Sequence, residues 1–173
     1  MSDFAAVIAE LEAEAAITGR VLARIPEEHL SWKPHDKSMT LGQLAMHIAQ
    51  IPGNIAAMLE VDHFEVKPER LASGPAVAQN NQELMAAHQQ SIEKAKQFLA
   101  HLTAEKAAQT WKMSAMGKTL IEMPRGAAVR TVMLNHWYHH RGQATVYLRL
   151  LNVPVPIVYG RSADENPFEA ASA

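Results

Sequence analysis

The segment TVMLNHWYHHRGQATVYLRLL, residues 131–151, decides the fold of this chain. With roughly 100° of rotation per residue in an α-helix, one set of side chains falls on the same side as His140. That set is Val129, Met133, His136, His140, Ala144, Tyr147 and Leu151. Because the stripe is apolar apart from two histidines, it predicts a helix whose histidine-bearing face packs in the core. Pro124 suits the first turn of this helix.

Three further helices are predicted upstream by the same helical periodicity of apolar residues. They cover residues 2–24, 40–61 and 77–102. Ile25-Pro26 ends the first helix, and Ser38 or Thr40 can cap the second. Pro52 lies inside the second helix, where it removes a backbone donor and should kink the helix close to His47.

The segments between the helices predict loops and one small hairpin. Residues 26–39 form a long loop that is either functional or a cap on the bundle, and residues 62–75 form a connection. Residues 111–123 favour a hairpin that turns at Met116-Gly117-Lys118, and residues 152–173 form a tail. The fold class expected is therefore all-α, a four-helix bundle with a small hairpin before the last helix, in one domain over residues 1–173.

Composition narrows the function classes. The chain has 173 residues, of which 48% are hydrophobic and 20% charged, as in soluble globular proteins. A net charge of −2 argues against nucleic-acid binding, and no apolar run has the length of a membrane helix. The start, Met1-Ser2-Asp3-Phe4, does not resemble a signal peptide, so we expect a cytoplasmic protein. With no cysteine, any metal ligand must be His, Asp or Glu.

His136 and His140 are the first candidates for metal ligands. Residues four apart are neighbours on a helix, so both imidazoles can reach one ion. Hydrogen bonds to other side chains would satisfy a buried pair equally well, and the spacing alone leaves both interpretations open. Arg141 lies about 100° from His140 on the helix, which favours a surface or interface role as much as the orientation of an anionic group.

His47 on the second helix has polar neighbours on the helical wheel. Gln43, Gln50 and Asn54 are close to it, so His47 is either a histidine at the rim of the core or a third ligand beside a polar pocket. His88 on the third helix is either a hydrogen-bonded core residue or part of that pocket. The substrate-binding candidates are Gln43, Asn54 and His88.

A three-histidine site has a definite chemistry. Three neutral imidazoles leave a dication uncompensated and leave at least one coordination position open, as in catalytic rather than structural sites. That position could carry water as a nucleophile, or a thiolate or carboxylate substrate. The ligand set suits Zn or Ni and could accept Mn or Fe.

The chain resembles the DinB/YfiT-like superfamily over nearly its whole length. The resemblance rests on His136–Gln143, on Val146–Arg149, on the stretch Trp32–His47 before and into the second helix, and on the tail. The tail residues are Pro154-Val155-Pro156, Tyr159-Gly160 and Ser162–Glu165. The family implies a four-helix bundle with a three-histidine metal site, and its pattern carries onto His47, His136 and His140. The resemblance therefore favours His47 as a metal ligand and not as a residue at the rim of the core.

The resemblance also implies a function class. Members are damage-inducible proteins, often dimers, and some relatives are small-thiol S-transferases or isomerases. We therefore expect a divalent-metal-dependent enzyme, of S-transferase or hydrolase type, acting on a small molecule or a low-molecular-weight thiol. The alternative is a non-enzymatic metal- or ligand-binding stress-response protein. A homodimer is expected, with no nucleic-acid or membrane partner.

Overall fold

The computed structural model of the chain describes residues 4–69, 74 and 76–168. Its elements, in chain order, are α1 (Ala5–Leu22), a 3₁₀ turn (Glu27–His29), α2 (Leu41–Leu59), β1 (His63–Val66), α3 (Asn81–His101), α4 (Ala104–Ala108), β2 (Thr110–Ala115), β3 (Lys118–Pro124), α5 (Arg125–Ala128), a π-helical segment (Val129–Asn135) and α6 (His136–Leu150). The four predicted helices are all present. Ser2, where the first was predicted to begin, lies outside the described residues.

The start of α2 is held by its own sequence and by the loop before it. Thr40 and Gln43 form a capping box, in which Gln43 N donates to Thr40 Oγ1 at 3.2 Å and Thr40 N donates to Gln43 Oε1 at 2.9 Å. Leu41 N and Gly42 N donate to the carbonyls of Trp32 and Leu30. The loop of residues 26–39 therefore caps the start of α2, and its predicted role as a functional loop or a cap on the bundle stays a prediction.

The four long helices pack as a ring in the order α1, α3, α2, α6. Glu10 bonds Tyr138 and Glu14 bonds Arg141, so α1 and α6 run parallel. Helix α3 is antiparallel to α1, because Lys96 contacts Glu12 whereas His88, earlier on α3, contacts Ala15, later on α1. The core lies inside the ring. Among its fully buried residues are Leu11, Leu22, Leu44, Ile48, Leu99 and Trp137.

A three-stranded sheet corrects the expected all-α class. The predicted hairpin is present as β2 and β3, paired antiparallel around Met116 and Gly117, both of which have positive φ. In addition, β1 pairs in parallel with β2, with His63 opposite Lys112, where the sequence predicted only a connection. The structure is therefore mostly helical with a small sheet. β1 was missed because it has only four residues and its partner lies over forty residues away along the chain.

Candidate metal centre

A proline in α2 provides the contact that aligns the two histidine-bearing helices. Pro52 has no N–H, so the carbonyl of Ile48, four residues earlier, has no helical donor. The indole Nε1 of Trp137 donates to this carbonyl at 2.9 Å, and both side chains are fully buried. His47 and His136 immediately precede the two bonded residues. The hydrogen bond therefore fixes α2 against α6 at the level of these histidines.

The π-helical segment before α6 sets which face of that helix is buried. A π turn holds about one residue more than an α turn. The residues after it are therefore rotated about the helix axis by roughly 100° from their positions in a regular α-helix. The core face of α6 is consequently Trp137, Arg141, Ala144 and Leu148. The sequence predicted that His136 and His140 face the core. Val129, Met133 and Ala144 of the predicted stripe are buried. His136 and His140 lie half-buried at the edge of the core, and Trp137 and Arg141 take the central positions.

His47, His136 and His140 converge at this edge. The Nε2 atom of His136 lies 3.3 Å from Nε2 of His47 and 2.9 Å from Nε2 of His140. The three ring centroids are separated by 5.1, 4.6 and 4.7 Å. One nitrogen from each ring lies within 4.8 Å of the others, and among the described residues this is the one group of three or more His, Asp or Glu side chains able to hold a metal ion.

The spacing of these nitrogens fits a divalent ion. Two Zn–N bonds of about 2.0–2.1 Å place their nitrogens ~3.4 Å apart at a tetrahedral angle and ~2.9 Å apart at a right angle. The separations of 3.3 and 2.9 Å from His136 match these two limits. The donor set is three imidazole nitrogens without a carboxylate, which suits a borderline cation such as Zn or Ni.

Hydrogen bonds on the far sides of two rings favour the ligand form of the histidines. The Nδ1–H of His140 donates to Oε1 of Gln143 at 2.7 Å, and the side chain of His136 bonds the backbone of Val132 in the π-helical segment. In each ring Nε2 is then left with its lone pair toward the cluster. Burial lowers the pKa of His136 and of His140 below the ordinary value, and for His136 the neighbouring His140 lowers the pKa further. Both effects favour neutral imidazoles.

The three substrate-binding candidates lie in different surroundings. Gln43 is part of the capping box of α2, and Asn54 is exposed beside a small cavity of about 80 Å³ between α2 and α3. His88 is buried, its Nε2 bonds the Ala15 carbonyl at 3.1 Å, and its ring lies 6.1 Å from that of Trp137. None of the three belongs to the histidine cluster, and their role in binding a substrate stays a prediction.

Sequence reasoning missed the role of Arg141, next to His140. Its side chain is buried, and its guanidinium pairs with Glu14 at 2.5 Å and donates to Thr18 Oγ1 at 3.1 Å and to Tyr159 Oη. Arg141 therefore joins α6 to α1 and to the C-terminal tail, rather than lying at the surface. The rotation caused by the π-helical segment is the reason, and no simple sequence pattern marks that segment.

None of the described helices combines the length and the apolar character that a membrane span requires.

A model of the DinB family matches residues 1–168 of the chain. The protein YrdA of Bacillus subtilis (strain 168) is 26% identical over 157 residues, which cover 89% of this chain and 86% of YrdA.

Two crystal structures of DinB-like proteins share the fold. YjoA of Bacillus subtilis aligns with a TM-score of 0.64 at 20% identity, over 90% of this chain and 99% of YjoA. A protein of Bacillus cereus ATCC 10987 aligns with a TM-score of 0.62 at 25% identity, over 84% of this chain and 91% of its own. The family match over residues 1–168 shows that the chain belongs to the DinB family.

Proposed function

We propose that the protein binds one divalent metal ion through Nε2 of His47, His136 and His140, and that it is a metal-dependent enzyme of the small-thiol S-transferase or hydrolase type. The convergence of three ring nitrogens from two helices within 4.8 Å carries the metal proposal. We expect Zn or Ni, with Mn or Fe as further candidates. An ion in this place would act as a Lewis acid that lowers the pKa of a water molecule or a thiol.

The enzymatic part of the proposal rests on the open side of the cluster. The three rings are half-buried, so one side of the cluster reaches solvent. Among the described residues no fourth His, Asp or Glu completes the group, which leaves a position for a substrate. Gln143 and the backbone of Val132 hold the protons on the far nitrogens and so direct both Nε2 lone pairs inward.

A non-enzymatic metal- or ligand-binding protein is the second candidate. It is favoured by the absence of an acidic side chain from the histidine cluster, within the part of the chain that the structure describes. A general base normally lies within hydrogen-bond reach of the group it deprotonates. Full metal loading without turnover on thiol-transfer and hydrolysis panels would favour this candidate over the enzyme.

Metal analysis of purified variants tests the ligand set. We expect about one ion per chain in the wild type and a large loss in His47→Ala, His136→Ala and His140→Ala, because each removes one of three ligands. The matched control is His139→Ala, which changes the exposed neighbour of His140. If all three ligand variants keep the full metal content of the control, the metal proposal is wrong.

The partners are proposed on the same basis. We propose a small molecule or a low-molecular-weight thiol as substrate, and a homodimer as the assembly. Val146 and Leu150, which are exposed one turn apart on α6, support an interface there. Light scattering coupled to size-exclusion chromatography distinguishes a dimer from a monomer of 19.1 kDa.

A further inference from the structure

A cavity lies away from the histidines, between α2 and α3. Its volume is about 610 Å³, which is in the range of small-molecule sites. The cavity arises from the way the two helices cross. Gly53 N donates to Ser91 Oγ at 2.8 Å, and a Cβ on Gly53 would lie 2.8 Å from Ser91 Cα. Beyond this close contact, Ala56 and Ala57 of α2 form one wall of the cavity, and their small side chains leave space between the helices.

Part of the cavity lining is apolar. Ala56, Leu59 and Leu102 are buried residues of the core, and Phe98 is half-buried beside them. These side chains offer contact to a compact hydrocarbon or aromatic group.

The charged residues of the lining are mostly basic, although the whole chain carries a net charge of −2. Lys94, Lys106 and Arg125 line the cavity, against Glu60 as the acid among the lining residues. Arg125 is fully buried, and its guanidinium donates to Asp62 at 2.6 Å. Lys106 pairs with the same carboxylate at 2.7 Å, so these two cations share one acid and keep an excess of one positive charge.

Lys94 is the cation left for a ligand. It forms no ion pair with any residue in the described ranges, and it stands on α3 one turn before Phe98. A cation without a carboxylate partner, beside an apolar chamber, is complementary to a molecule with one negative charge and an apolar body.

We infer that this cavity binds a small amphipathic monoanion, with the carboxylate or sulfonate group at Lys94 and the apolar part against Phe98 and Leu102. This site is separate from the histidine cluster and does not depend on a bound metal. The ligand class follows from the lining: the apolar side chains select the body, and the excess of one positive charge, three cations against Glu60 and Asp62, selects the charge.

The test uses displacement of 8-anilinonaphthalene-1-sulfonate fluorescence from the folded full chain. Octanoate and 1-octanol are the competitors, since they share their apolar length and differ in charge. We expect octanoate to bind more tightly than octanol, and Lys94→Gln to weaken octanoate by roughly five-fold, the effect of about 1 kcal/mol for one solvent-exposed charge pair. Lys118→Gln, which makes the same charge change at the hairpin turn, should leave octanoate binding as in the wild type.

A second variant tests the location. Ala57→Trp should fill the cavity and abolish displacement, while its thermal midpoint reports whether the fold is retained. His136→Ala should keep wild-type octanoate affinity, which separates this site from a carboxylate bound at the metal centre. The inference is overturned if the dye does not bind the folded chain, if octanol matches octanoate, or if Lys94→Gln behaves like Lys118→Gln.

Discussion

Trp137 Nε1 donates a hydrogen bond to the carbonyl oxygen of Ile48, with 2.9 Å between the two atoms, and both side chains are fully buried. The carbonyl is available because Pro52 cannot donate to it. The residues one position earlier, His47 and His136, have their Nε2 atoms 3.3 Å apart. One contact between a proline-generated acceptor and an indole therefore sets the distance between two candidate ligands.

Trp137→Phe should lower both stability and metal affinity. The substitution leaves the Ile48 carbonyl without its donor and removes buried volume, for an expected loss of roughly 2–4 kcal/mol in the free energy of unfolding. Trp111→Phe is a matched control, because Trp111 is also fully buried and its Nε1 donates to the Met58 carbonyl at 3.0 Å. Urea denaturation should show similar losses for both, and competition with a zinc chelator should show weaker binding for Trp137→Phe alone. Equal zinc affinities would contradict the alignment role.

Gln143→Leu should weaken metal binding with little effect on the fold. Gln143 is exposed and accepts the Nδ1–H of His140, so its loss releases the orientation and the tautomer of that ring. Loss of such a supporting bond typically costs about 10–100-fold in metal affinity. Zinc titration measures the affinity, and nitrogen chemical shifts of the metal-free protein report the tautomer of His140. Gln89→Leu, on an exposed position of α3, is the control. Unchanged shifts and affinity in Gln143→Leu would count against the role.

Stability should fall as the pH drops below 6.5, in part because of His88. Burial lowers the pKa of this imidazole below its ordinary value of 6.5, so the unfolded chain takes up a proton that the folded chain does not. The loss starts near pH 6.5 and proceeds at up to about 1.4 kcal/mol per pH unit until the folded pKa is reached. The pKa values of His136 and His140 are also lowered, so these residues add to the pH dependence of stability. The contribution of His88 is obtained by comparing that dependence in the wild type and in His88→Gln.

Urea denaturation of chelator-treated protein from pH 7.5 to 5 measures this difference. His88→Gln should have a shallower dependence on pH than the wild type, and exposed His29→Gln should retain the wild-type slope. Parallel curves for wild type and His88→Gln would show that His88 does not contribute.

Glu14→Ala should be one of the more damaging substitutions on α1. It leaves the buried guanidinium of Arg141 without its carboxylate, and breaking a buried pair in this way costs roughly 3–5 kcal/mol. Glu12→Ala on the same helix removes an exposed partner of Lys96 and should have a much smaller effect. Midpoints of urea denaturation compare the two. Similar midpoints would mean that the remaining partners, Thr18 and Tyr159, hold Arg141 unaided.

The sequence predicts much of this architecture and part of the site. Periodicity and proline placement locate four helices, and the spacing of His136 and His140 identifies two members of the cluster. His47 has no such local pattern, and its selection depends on the family resemblance. The errors have two physical causes: pairing between segments distant along the chain, and a change of helical pitch. The parallel pairing of β1 with β2 is of the first kind, and the burial of Arg141 is of the second.

The π-helical segment also limits how the site could be transferred to another protein. In a regular helix continuing from Val129 and Met133, His136 and His140 would turn inward and Trp137 would lose its place opposite Ile48. A designer who built residues 129–151 as one ideal helix with this sequence would turn the histidines toward the core. Removal of one residue from 129–135 would let the segment become a regular helix while Trp137 stayed inward. The extra residue held in the π turn, as much as the identity of the histidines, therefore determines whether the centre opens to solvent.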